Sequence, residues 1–258
     1  MYDQRIGLTT QDAMTIYDID IAKLKAALTA TDTAKKIGNF DIAKDWNGKI
    51  FVEVANPAKR GVRVSNGSSL PSVGATKGLT LGTNTQLYIK GDYNADGTIQ
   101  SSMSTPDTGE VPAALVADAI TILSSNWSDT KSKNALSGRN APKTTEVSAA
   151  FVCGLTATTS GEYSGGFQNL PRFLENWTSS TTFGYRGAMT VLFECEVAPG
   201  WYAPGSYGVP TRNWAYNSSF KTNPPPEILS NRRSMSQLGY QEFGSEAAFQ
   251  AAIAAAKT

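Results

Sequence analysis

Residues 78–94 read GLTLGTNTQLYIKGDYN, and the fold class turns on this stretch. Its two runs, GLTLGTN and QLYIKGDYN, are rich in Leu, Ile, Thr and aromatic residues, and each closes on Asn. Asn, Asp and Gly tolerate positive φ, so such endings mark turns. Similar runs are KIFVEV (49–54), GVRVSNG (61–67), ALVADAITILSSN (114–126), EVSAAFVCG (146–154) and GAMTVLFECEV (187–197), most of them closing on Gly or Asn. Several of these runs are apolar at consecutive positions, the signature of strands buried on both faces. Strands and helices do not alternate, which argues against a doubly wound sheet or an α/β barrel. The pieces V-x-V-x-N-G and L-x-L-G-T-N read as successive rungs. The sequence therefore predicts a mainly β chain, a parallel β-solenoid with short flanking helices, the alternative being an antiparallel β-sandwich.

Helical spacing predicts a helix over 15–36, where Ile21, Leu24 and Leu28 share a stripe, and a second over 245–257 with Ser245 as N-cap. The expected organisation is a helical lead-in at 1–40, a β-rich body at 41–226 and a tail at 227–258 ending in the second helix. Residues 98–111 and 128–143 read as polar loops leaving the scaffold.

Composition excludes several kinds of chemistry. The chain of 258 residues contains no histidine, which removes Ser-His-Asp and Cys-His nucleophiles and the usual zinc sites. Net charge is +1 with scattered basic residues, so a nucleic-acid partner is not expected. No apolar run is long enough to span a membrane. The cysteines, Cys153 and Cys195, each lie in an apolar run and read either as buried small hydrophobes or as a disulfide.

Three groups of residues carry candidate chemistry. In GDYNADGTI (91–99), Asp92, Asn94, Asp96 and Thr98 have the spacing that opens a calcium loop, with Gly97 at the turn. Met103 stands where the closing carboxylate belongs, and Asp107 or Glu110 could replace it only if the loop folded back. A plain Asp-Gly turn is the competing reading. Asp118 within an apolar strand, with Glu175 and Arg172 on an expected short helix over 169–177, would be the acids and anion clamp of a carbohydrate-cleaving groove. The structural alternative has Arg172 and Glu175 paired, and Asp118 held by a turn or by Arg186 or Arg212. Trp127, Trp177, Trp201 and Trp214, with Tyr202, Tyr207 and Tyr216, are candidates for sugar stacking or for core.

Taken in order, GLTLGTNTQLYIKGDYN, PAALVADAITILSSNWSD, YSGGFQNLPRFLENW and PTRNWAYNSSFKTNPPP resemble a family of exported bacterial domains found in prepilin-like and pilus-assembly-associated surface proteins. The resemblance runs from about Tyr17 to Pro226. It implies export, with a targeting segment upstream of Met1, an extracellular or cell-surface location, and a structural or adhesive role without catalysis. Expected partners are envelope or pilus components, or surface glycans, with no cofactor beyond a possible calcium ion. A carbohydrate-binding or carbohydrate-cleaving β-helix protein is the alternative function.

Overall fold

The computed structural model describes residues 1–3, 13–29, 36–37, 40–41, 45–73, 76–139, 142–154, 170–192, 207–226 and 244–255. One sheet of eleven strands organises them, curled into a half-barrel. Its strands fall into two rows. The first runs β1 (Thr15–Asp20), β5 (Arg60–Gly67), β9 (Gln86–Tyr93), β11 (Ala119–Leu123) and β13 (Arg172–Phe173). The second runs β4 (Lys49–Val52), β8 (Leu79–Thr83), β10 (Ala113–Val116), β12 (Thr145–Cys153), β14 (Thr182–Val191) and β15 (Thr211–Tyr216). The rows meet at one pairing, Tyr93 with Val147. Two short antiparallel pairs, β2 (Lys36–Ile37) with β3 (Phe40–Asp41) and β6 (Ser72–Val73) with β7 (Thr76–Lys77), stand apart.

Every ladder in the main sheet is parallel, so the antiparallel sandwich is excluded. Parallel register stacks like on like. Ile19, Val64, Ile89, Ile122 and Phe173 stand in one line across the first row. Ile50, Leu81, Leu115, Phe151 and Met189 do the same across the second. Both lines enter one core, where each fully buried Leu, Ile or Phe contributes about 1.5–3 kcal/mol. Tyr88, on the opposite face of β9, packs with Met14, Leu123, Trp127 and Leu174 in a second cluster. Burial on both faces is why these strands read as unbroken apolar runs. GVRVSNG and GLTLGTN are not neighbouring rungs: β5 and β8 belong to opposite rows.

Three local expectations are corrected. Residues 15–20 form β1 rather than the start of a helix, and the helix runs only Ile21–Thr29. The switch falls at Asp20, whose Oδ1 accepts from the Lys23 amide at 3.0 Å as an N-cap does, while Thr15, Ile16 and Ile19 favour strand. Arg172–Phe173 is a strand beside β11, so no helix spans its neighbourhood; two residues of extended backbone cannot carry the Arg172–Glu175 spacing of a helix face. Residues 98–111 and, within the second loop, 128–139 also fold back instead of projecting. Met103 and Ser132 are each only 1 % exposed, and the guanidinium of Arg139 donates to the Leu174 carbonyl. The second helix does form, over Glu246–Ala255, and Ser245 Oγ caps it by accepting from the Ala248 amide at 3.3 Å. No helix among the described residues is long and apolar enough to cross a membrane.

Candidate functional site

The turn after β9 begins the site. Asn94 adopts φ +54°, a left-handed conformation that Asn tolerates better than most residues. Its side-chain amide donates to the carbonyls of Val111 (2.7 Å) and Ser148 (3.0 Å), and its Oδ1 accepts from the Val111 amide (3.1 Å). One buried side chain thus closes the loop 94–112 on itself and ties it to β12. Gly97 (φ +81°) then turns the chain over the carboxylate of Asp92, where a Cβ would lie 2.8 Å from Oδ2. Asp92 Oδ1 accepts from the Glu146 amide at 2.8 Å, and Asp96 Oδ1 accepts from the Thr98 amide at 2.7 Å.

The loop lies over the face of β12 and β14 opposite the core. Parallel register puts Glu146 beside Gly184 and Ser148 beside Arg186. Arg186 is fully buried and holds four groups. Its Nε donates to the Met103 carbonyl at 2.6 Å, and Nη1 to Glu110. Nη2 reaches both Asp107 (3.2 Å) and Glu146 (3.3 Å). Gln100 donates to Asp107, and Asn217 on the far side donates to Glu110. Removing one partner from a buried cluster of this kind strands a charge, so the contacts stand or fall together.

Asp96, Asp107 and Glu146 each place a carboxylate oxygen within 4.8 Å of the others. Burial and the neighbouring Asp107 push the Glu146 carboxyl up to about 7, although Arg186 pulls it down. Asp92 is also raised, chiefly by burial. The Oε2 of Glu146 is buried without a hydrogen-bond partner, an arrangement rare enough in native proteins to need a cause.

The sequence pointed to this loop and missed half of its chemistry. Of the calcium-loop residues, Asp96 stands in the acidic triad. Asp92 supports β12, Asn94 is committed to backbone, and Thr98 contributes its amide to Asp96. The loop does fold back, bringing Asp107 and Glu110 into the cluster. Glu146 and Arg186 went unassigned to this loop, though a lone carboxylate opening the apolar run EVSAAFVCG was a visible signal.

The carbohydrate-groove candidates lie elsewhere. Glu175 is fully buried and accepts from both the amide and the hydroxyl of Ser124; burial raises its pKa. It therefore ties β11 to the β13 segment and makes no pair with Arg172, whose Nη1 donates to Gln86 at 3.2 Å. Asp118 lies between β10 and β11, largely buried, and Arg186 pairs with the loop acids instead. Arg212 stacks over Trp214, 5.1 Å from the ring centroid. Trp127 and Trp177 are core, while Trp214 and Tyr216, on strand β15, are 37 % and 49 % exposed. Trp201, Tyr202 and Cys195 fall outside the described residues; Cys153 is buried, which raises its thiol to about 12. A shallow groove of about 390 Å³ over the C-terminal ends of β1, β5 and β9 is lined by Asp18, Ser65, Asn66, Lys90 and Asp92 among others, none of them aromatic.

Comparison of the chain with known protein families, with curated proteins and with solved structures finds no match.

Proposed function

We propose that this chain is a non-catalytic structural or adhesive domain of a bacterial envelope or pilus-associated protein, displayed outside the cell on a parallel β-solenoid. The solenoid reading is supported by chain order. From β4 onward, successive strands of the main sheet alternate between the two rows through β13, the separate β6–β7 pair aside, and each row is traversed in sequence order. Each rise of the chain thus adds one rung to both rows, and the like-on-like lines of Ile, Leu, Val and Phe follow from it.

The observation that carries the non-catalytic reading is the engagement of the acids. Glu175 is saturated by Ser124, and Asp107, Glu110 and Glu146 surround Arg186. In the open groove, Asp18 accepts from Arg63 and Ser65, and Asp92 from the Glu146 amide. A glycosidase needs two carboxyl groups facing one substrate bond across a cleft. These acids face protein.

Surface location is tested in the cells that make the protein, by digesting intact cells with an external protease and by shearing off surface filaments. The expected result is cleavage on intact cells and recovery with the sheared fraction. Confinement to the cytosol would end this reading.

Glycan contact without catalysis is the second reading, favoured by the exposed rings of Trp214 and Tyr216 beside the Arg212 guanidinium on β15. An aromatic platform of that kind binds sugar faces by stacking. Binding to immobilised cell-surface polysaccharide should then drop at least tenfold in Trp214→Ala, and equal binding by both proteins would remove it.

A further inference from the structure

We propose that Asp96, Asp107 and Glu146 bind a single calcium ion that fastens the loop 94–112 onto β12 and β14. Two observations converge on this. The first is geometric: one oxygen from each residue lies within 4.8 Å of the others. Ligands on a calcium ion sit at about 2.3–2.6 Å, so opposite oxygens are at most about 5 Å apart. The three oxygens therefore fit around one ion with little movement. The second is the buried Oε2 of Glu146, which lacks a hydrogen-bond partner although its twin Oε1 accepts from Arg186. A buried acceptor on a charged group calls for a donor or a cation.

Charge agrees. Asp107, Glu110 and Glu146 share the single guanidinium of Arg186, Asp92 accepts from the backbone amide of Glu146, and Asp96 donates its backbone amide to Asp107. That arrangement holds more negative charge than one arginine balances, and a divalent ion offsets it. The ligands are all carboxylate oxygens, and the chain has no histidine, which selects a hard cation over zinc or copper. Calcium suits the site better than magnesium. Asp96 is exposed, so water and backbone carbonyls can complete a loose shell of six to eight, whereas magnesium demands a tight octahedron. Glu146 opens β12 while Asp96 and Asp107 stand near the two ends of the loop, so the ion would bridge strand and loop. This site is independent of the proposed function: a scaffold or a glycan binder could equally contain it.

The test uses the full chain stripped with EDTA and titrated with calcium chloride, read by isothermal calorimetry and by thermal unfolding. The expected result is one equivalent bound with Kd of about 10⁻⁴–10⁻³ M, as in extracellular modules. At about 100 times Kd, Tm should rise by roughly 5–10 °C. Asp96→Asn, an exposed change that leaves the fold intact, and Glu146→Gln should each weaken binding at least tenfold, and magnesium should bind far less tightly. Absence of heat and of any Tm shift up to about 10 mM calcium overturns the proposal. So does calcium binding that both variants retain undiminished. If the orphan oxygen instead carries a proton, Glu146→Gln stabilises the stripped protein while calcium leaves the parent chain unchanged, which equally overturns it.

Discussion

Replacing Arg186 by methionine keeps most of the side-chain volume and removes every charge contact the guanidinium makes. Asp107, Glu110 and Glu146 would then be left facing one another in the interior, and the Met103 carbonyl would lose its donor. Breaking a buried ion pair from one side costs about 3–5 kcal/mol. For a chain of this size each kcal/mol lowers Tm by about 2–4 °C, so Arg186→Met should unfold roughly 10 °C or more below the parent. The assay is thermal unfolding in EDTA, followed by limited proteolysis, which should cut first within 98–111 because that loop loses its anchor. The mechanism makes a second demand. If stranded charge causes the loss, adding Glu146→Gln in the Arg186→Met background should recover at least about 1 kcal/mol, a coupling that independent sites do not show. A Tm drop of under about 2 °C, or a double variant no better than the single one, would refute the reasoning.

Asn94→Asp replaces two amide donations to carbonyls with carboxylate–carbonyl repulsion, so it should cost about 3 kcal/mol or more and exceed Asn94→Ala; denaturant midpoints compare the two. Gly187→Ala directs a methyl group into the Ala149 carbonyl and the Tyr185 hydroxyl on β12 and β14, a backbone clash that should lower the denaturant midpoint by more than about 2 kcal/mol equivalent. Glu175 has its folded pKa raised by burial, so the folded state holds that proton more tightly than the unfolded chain does. Its contribution to stability is therefore present below the ordinary carboxyl value of about 4.3 and is lost as pH rises through the folded pKa. Glu175→Gln removes this titration, so the Tm difference between variant and parent should move in favour of the variant from about pH 4 upward, and a constant difference would contradict the assignment.

The sequence by itself determined that the chain is mainly β and where most strands lie, because those facts are local. KIFVEV, GVRVSNG, GLTLGTN, QLYIKGDYN and EVSAAFVCG announce strands through β-branched, leucine and aromatic residues, all but the first closing on Gly or Asn, and β4, β5, β8, β9 and β12 sit where those words stand. The calcium-like spelling of residues 91–99 fell on the loop that carries Asp96 of the acidic triad. Tertiary structure alone decided what that loop meets. Asp96 acquires Glu146 as a neighbour because β9 and β12 touch at the Tyr93–Val147 pairing, and Arg186 joins them because β14 runs parallel to β12 in a register that sets it beside Ser148. Spacing along the chain carries no trace of such contacts, since residues far apart are joined by strand register. TIYDID failed in the opposite direction: the helix read from Ile21, Leu24 and Leu28 was carried back over it, whereas β5 pairs with it along its whole length.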